Sequence, residues 1–237
     1  MNLVKQIQVY GDSIMKGILL DKENGRYYPM KQDDTRLMAE NLDIVVNNRS
    51  KFGCTIEKGW QQLQKSMEKG LKCDIVLLEY GGNDCDYDWE KVAASPEAAH
   101  EPHIPLRRFE TIYKEMLLAL KQNGITPVVM SLPPIDGERY FNWITRNGLS
   151  RENILHFLGD VQMIYRYQEM YSLAATKLAF ETGALYADVR SAFLDRRDYK
   201  RAFICEDGIH PNENGHRLIS EELCRLAKAH FENQQSA

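Results

Sequence analysis

Apolar positions along the chain fall into two kinds of segment that alternate. Short runs rich in β-branched residues occupy 6–10 (QIQVY), 43–47 (DIVVN), 73–80 (CDIVLLEY), 125–132 (ITPVVMSL) and 184–189 (ALYADV). The third run is apolar almost without a break, the pattern of a strand buried on both faces. The segments between them carry a helical period. Trp60, Leu63 and Met67 share one face ahead of Gly70. Phe109, Ile112, Tyr113, Met116 and Leu120 recur at helical spacing before Asn123 and Gly124. Residues 161–182 read as a helix closing at Gly183, and Leu218, Leu223, Leu226 and His230 form a stripe near the C-terminus.

This alternation predicts an α/β protein with a parallel sheet, helices on both faces and right-handed crossovers. No internal repeat and no Ser/Gly-rich linker interrupts it, so one domain is expected over residues 1–237. Two segments exceed a minimal strand–helix unit. Residues 86–106 carry Tyr87, Trp89, His100 and His103; residues 133–159 carry Tyr140, Phe141, Trp143 and Phe157. Both follow the C-terminal end of an expected strand, where open α/β sheets bind ligands. They are expected to be pocket walls or a lid; the alternative is aromatic loops packed on the surface.

Charge narrows the partners. The formal net charge is -4, a poor electrostatic match for nucleic acid or an anionic membrane surface. The Arg196–Arg197 and Lys200–Arg201 pairs are short and broken by acids, so they read as solvated surface. No run is long and apolar enough to span a bilayer, and the first six residues carry no secretory pattern. Neither nucleic acid nor integral membrane association is expected. Cys54, Cys73, Cys85, Cys205 and Cys224 are odd in number and form no C-x-x-C, which favours free thiols in a reducing cytoplasm over a disulfide framework or a zinc ribbon.

Four short blocks carry candidate chemistry. Ser13 follows the first strand between Asp12 and Ile14 and is expected to open a helix whose N-terminus favours negative charge. An Asp-Ser pair there is equally an ordinary helix cap. Asp207-Gly208-Ile209-His210-Pro211 lies near the C-terminus. A serine hydroxyl needs a base, usually His, and that His needs a carboxylate to fix its tautomer; an Asp three residues before a His can meet it from one loop. The alternative is a capped turn with a structural Asp. Gly81-Gly82-Asn83-Asp84 directly follows the most buried strand, and Asn83 offers an amide donor at the strand tip. Phe52-Gly53-Cys54-Thr55 follows the second strand and offers a backbone N–H at Gly53.

Taken together and in this order, the four blocks resemble those of the SGNH hydrolases, the group that includes the GDSL lipases and esterases. The resemblance spans most of the chain. It implies a three-layer α/β/α sandwich with a five-stranded parallel sheet of flavodoxin-like topology. It also implies a triad of Ser13 (nucleophile), His210 (base) and Asp207 (its partner). The oxyanion hole would then comprise the Ser13 N–H, the Gly53 N–H and the Asn83 amide. Asp12, Gly82, Trp89 and Trp143 are the candidate substrate-contacting positions. Two departures stand out: Gly82 occupies a place where the family more often has Thr or a similar residue, and Lys51-Phe52 before Gly53 is less typical.

The expected activity is hydrolysis of a small-molecule carboxylic ester through an acyl-enzyme, with no metal or cofactor. A short acyl group such as acetyl, on a carbohydrate, is favoured over lysophospholipid or thioester substrates, which the same group also uses. Two other readings compete. His100, His103, His210, His216 and Asp207 could be imagined as metal ligands, although H-E-x-x-H is absent and His216 reads as a surface or capping residue. An inactive flavodoxin-like binding module would share the sheet but has no need of Ser13, Asn83, Asp207 and His210 together. The chain has no P-loop, no G-x-G-x-x-G and no G-x-S-x-G elbow.

Overall fold

The computed structural model describes residues 5–31, 39, 40, 42 and 44–235. Asp43, the expected start of the second strand, and the first four residues of the N-terminal segment lie outside the described residues. In chain order the described elements are β1 (Gln6–Gly11), β2 (Ile18–Leu20), β3 (Tyr27–Pro29), β4 (Val45–Asn48), α1 (Ile56–Glu68), β5 (Ile75–Glu79), α2 (Trp89–Ala94), α3 (Leu106–Gln122), β6 (Thr126–Met130), α4 (Gly137–Thr145), α5 (Arg151–Leu158), α6 (Gln162–Thr182), β7 (Leu185–Ala187), α7 (Val189–Leu194), α8 (Tyr199–Ala202) and α9 (Glu213–Gln235).

The main sheet has five parallel strands in the order β4-β1-β5-β6-β7. Side chains alternate across it with the two-residue period of a strand. Tyr10, Val76, Leu78 and Val129 enter one core with Leu63, Phe109, Ile112 and Leu178, beneath α1, α3 and α6. Ile7, Val9, Ile75, Leu77, Val128 and Met130 enter the opposite core with Phe193, Leu218, Ile219 and Leu223, beneath α7 and α9. That is the expected three-layer α/β/α sandwich.

The two long segments are helical rather than irregular. Asp88, Asp136 and Ser150 cap α2, α4 and α5 by accepting the backbone N–H groups of Lys91, Arg139 and Asn153. These helices bury Trp89, Val92, Tyr140, Phe141, Ile154 and Leu158 in a third cluster above the sheet, joined by the first turns of α6. Trp89 and Tyr140 are both tied to Asp86, at 2.8 and 2.6 Å. Asp86 thus ties α2 to α4 in a wall at one end of the sheet.

His216 is a correction to the surface reading. It is wholly buried, because α9 turns its apolar stripe onto the sheet and carries the ring toward β2. Its Nε2 lies 3.4 Å from the Ile18 carbonyl.

Gly59 shows how close the layers come. A Cβ there would lie 2.3 Å from the Tyr80 ring. Gly59→Ala, normally favourable in a helix, is therefore expected to destabilise the protein by about 1–3 kcal/mol through overpacking. An unchanged denaturant midpoint would contradict this packing.

Candidate active site

Ser13 stands two residues beyond β1, in a turn over residues 12–17 that delivers the chain into β2. The Lys16 N–H donates to the Asp12 carbonyl and the Gly17 N–H to the Ile14 carbonyl. The helix expected to start at Ser13 does not form. Gly17 adopts φ +70°, which stops the coil after one turn and opens the β2–β3 hairpin. Dipole stabilisation by a helix at Ser13 is therefore absent, and the local donors are loop amides.

The C-terminal block folds back over this turn. Ile204 and Pro211 form an isolated antiparallel bridge, and the Cys205 N–H donates to the His210 carbonyl at 2.8 Å. Gly208, at φ +80°, lies so near the start of α4 that a Cβ would come within 2.6 Å of the Asp136 carbonyl. Asp136 N–H donates to the Gly208 carbonyl at 2.7 Å, fixing the loop against the wall. Asp207 Oδ1 accepts the backbone N–H groups of Ile209 and His210, each at 3.1 Å. Its Oδ2 lies 2.6 Å from His210 Nδ1, and His210 Nε2 lies 2.9 Å from Ser13 Oγ. All three side chains are buried.

Burial alone would raise the Asp207 carboxyl. The His210 hydrogen bond and charge, with the two backbone N–H groups, outweigh it and hold Asp207 below the usual carboxylate range. Asp207 therefore stays ionised against His210. That selects the tautomer with Nδ1 protonated and leaves Nε2 as the acceptor facing Ser13.

The three proposed donors differ in readiness. The N–H groups of Ser13 and Gly53 have no acceptor among the described residues, and Gly53 holds its loop at φ +65°. Asn83 is already held: its Nδ2 donates to Asp12 Oδ2 at 2.7 Å and makes only a long 3.5 Å contact with the Cys54 carbonyl. The latter hydrogen is the one available to a ligand. Asp12 Oδ1 meanwhile accepts the Ile14 N–H at 2.8 Å. Asp12 thus joins the Ser13 turn to the Asn83 loop.

Behind these donors lie two acids the sequence reading passed over. Glu79, the last residue of β5, is fully buried; Oε2 accepts the Asp12 N–H at 3.3 Å and Oε1 has no partner. Burial, and then the neighbouring Asp12 charge, holds Glu79 well above the usual range. Asp84 accepts the Ile56 N–H at 2.8 Å, the backbone start of α1. Burial pushes its carboxyl up to about 7 from an ordinary 3.8. The folded protein thus holds a proton here that the unfolded chain has lost. This stabilising contribution is full below the unfolded value and disappears as pH rises through about 7. Asp84→Asn, which keeps an acceptor for Ile56, is expected to flatten the fall in melting temperature between about pH 4 and pH 7. A variant whose melting curve tracked the wild type across that range would refute the assignment.

Comparison with known proteins places the chain in a family. The chain matches the GDSL-like lipase/acylhydrolase family over residues 9–218. It belongs to that family. It is thus a GDSL/SGNH-type hydrolase rather than an inactive binding module. A GDSL esterase/lipase from Arabidopsis thaliana is 24% identical over 199 residues, covering 82% of this chain and 70% of that protein. One from Oryza sativa subsp. japonica is 23% identical over 196 residues, covering 81% and 68%. Among solved structures, the lipase/acylhydrolase from Enterococcus faecalis aligns with a TM-score of 0.68 at 18% identity, over 96% of this chain and 97% of that one. A catalytic mutant of an acetylxylan esterase from Geobacillus stearothermophilus aligns with a TM-score of 0.64 at 19% identity, over 95% and 96%. These structural matches establish the fold.

In this GDSL-family hydrolase a cavity of about 300 Å³ opens beside Ser13 and His210. All four expected substrate-contacting residues, Asp12, Gly82, Trp89 and Trp143, line it. Asp12 does so with both carboxylate oxygens already engaged, and Trp89 with its N–H on Asp86. Gly53 faces a different groove. The sequence reading missed Tyr27, whose ring on β3 sits 4.9 Å from the His210 ring, and Phe52, stacked 6.2 Å from it. It also missed Arg146, whose guanidinium lies 3.6 Å over the Trp143 ring. The competing metal reading finds no geometry. His100 contacts the Ser95 carbonyl and His103 the Asn83 carbonyl, and among the described residues no three His, Cys, Asp or Glu side chains converge on one point.

Proposed function

We propose that this hydrolase is a serine esterase that removes a short acyl group, acetyl, from a carbohydrate. The observation that carries the reading is the buried chain from Asp207 Oδ2 through His210 to Ser13 Oγ, at 2.6 and 2.9 Å. His210 takes the Ser13 proton as Oγ attacks the ester carbonyl. The tetrahedral oxyanion then faces the Ser13 N–H and the free hydrogen of Asn83, both of which line the cavity, while Gly53, the third expected donor, lines the adjoining groove. Each such donor contributes about 3–4 kcal/mol to the transition state. Asp207 stabilises the imidazolium, His210 returns the proton to the leaving alcohol, and water repeats the sequence on the acyl-Ser13. No step calls for a metal or cofactor.

Two features support a small substrate. The cavity, at about 300 Å³, is at the lower end of the usual ligand-site range. Its aromatic rim, with Trp143 and Tyr27 edge-on at 6.3 Å, suits the apolar face of a sugar ring. The acetylxylan esterase from Geobacillus stearothermophilus shares the fold. None of the five cysteines is in a disulfide, and no described helix is long and apolar enough to cross a membrane. The thiols support a cytoplasmic setting.

The test is a panel of acetyl, butyryl and long-chain esters beside acetylated sugars. The expected order of kcat/KM is acetyl above butyryl, with long chains poorest and an acetylated sugar among the best. A long-chain preference would move the enzyme to the lysophospholipase or thioesterase side of its family.

A further inference from the structure

Beyond Phe52, the edge strand β4 and the helix α1 enclose a second, more open groove of about 920 Å³. Lys16, Arg49, Lys51, Lys58, Lys65 and Lys69 line it, and among the described residues no carboxylate does. None of the six makes an ion pair among the described residues. Arg49 donates only to Gln8 Oε1, at 3.3 Å. The six are scattered in sequence and gathered by the fold: Lys16 comes from the Ser13 turn, Arg49 and Lys51 from the end of β4, the others from one face of α1 and its cap.

Stability does not account for this collection. Like charges four apart on a helix, as at Lys65 and Lys69, are mildly destabilising, and clustered cations repel one another in a chain whose net charge is -4. A multivalent oxyanion would neutralise the cations and supply acceptors to the lysine ammonium groups and the Arg49 guanidinium. The groove also adjoins the reaction centre. Phe52 lines both cavity and groove, and Gly53, whose N–H is the third expected oxyanion donor, lines the groove.

We infer that this groove binds a phosphate group carried on the alcohol part of the ester, so that the substrate is an acetylated sugar phosphate. The placing of the phosphate rests on the esterase reading above. An acetyl group has no room for a second charge, so the anion belongs to the alcohol. The charge of the groove stands independently of that reading.

Two measurements separate these parts. Calorimetric titration with inorganic pyrophosphate reads the groove without any chemistry. Pyrophosphate is expected to bind the wild-type protein, to bind less as salt is raised, and to bind about tenfold more weakly to the Lys58→Ala/Lys65→Ala double variant. Both lysines are exposed, and circular dichroism checks that the variant is folded. Kinetics then compare acetylated glucose 1-phosphate with acetylated glucose. The phosphorylated ester is expected to have the lower KM in the wild type, and the ratio of the two KM values to move toward one in the double variant. No pyrophosphate binding, or binding equal in the two proteins, would overturn the groove as an anion site. Pyrophosphate binding with equal KM values would overturn the placing on the alcohol. Failure to hydrolyse even p-nitrophenyl acetate would strike at the esterase reading, and the titration would still decide the groove.

Discussion

Ser13→Ala is expected to lower turnover of p-nitrophenyl acetate by at least about ten-thousand-fold while leaving the protein folded. The size follows from the arrangement. Among the described residues Ser13 Oγ is the one side-chain hydroxyl hydrogen-bonded to His210 Nε2, at 2.9 Å, and in the proposed mechanism its loss leaves the imidazole only water to activate. Ten-thousand-fold is about 5.5 kcal/mol of activation free energy, far more than the loss of one oxyanion donor would remove. The folding cost is small, because the substitution removes one side-chain hydrogen bond worth about 1 kcal/mol and leaves no sizeable cavity. A variant that kept most of its activity after purification from an esterase-free host would remove Ser13 from the chemistry. A variant that lost activity together with its circular dichroism would report on folding instead.

Asp207→Asn is expected to lower turnover by about ten-thousand-fold with little change in stability. The backbone explains why such a small change costs so much. The N–H groups of Ile209 and His210 both point at Oδ1, so the asparagine carbonyl oxygen is drawn to that position. Its NH2 then faces His210 Nδ1, which must accept, and the ring proton moves to Nε2. From there His210 donates to Ser13 and no longer serves as its base. Turnover within about tenfold of wild type would show that Asp207 only shapes the loop, as the capped-turn alternative holds.

Much of the fold was legible because it rests on short-range patterning. The run at 73–80 is apolar on both sides, and it became the central strand β5; Leu63, Phe109 and Leu223 followed the helical period into the cores. The candidate triad was legible for a different reason. Ser13 alone has the pattern of a helix cap, but Asp207 and His210 lie within four residues and meet through one loop, so their pairing needs no long-range information.

What escaped depends on contacts far apart in sequence. The β2–β3 hairpin is short and carries Asp21, Lys22, Glu23 and Asn24 between its strands, so nothing local says that it brings Tyr27 over His210. His216 carries a polar side chain, and only the docking of α9 against β2 buries it. The helix expected at Ser13 failed because the turn ends at Gly17, a signal present in the sequence and read past. Glu79 also left a trace, as an acid closing the otherwise apolar strand IVLLE. The caps at Asp88, Asp136 and Ser150 were equally visible and mark the helices that wall the cavity.

The central claim is that Ser13 is the residue acylated in turnover. The most direct test is labelling of the native enzyme with a fluorophosphonate, which reacts only with a serine activated by its base, followed by peptide mapping. A single modified peptide carrying the label on Ser13 is expected, with labelling abolished in His210→Ala. A label on another residue, or an unlabelled but ester-hydrolysing protein, would contradict it.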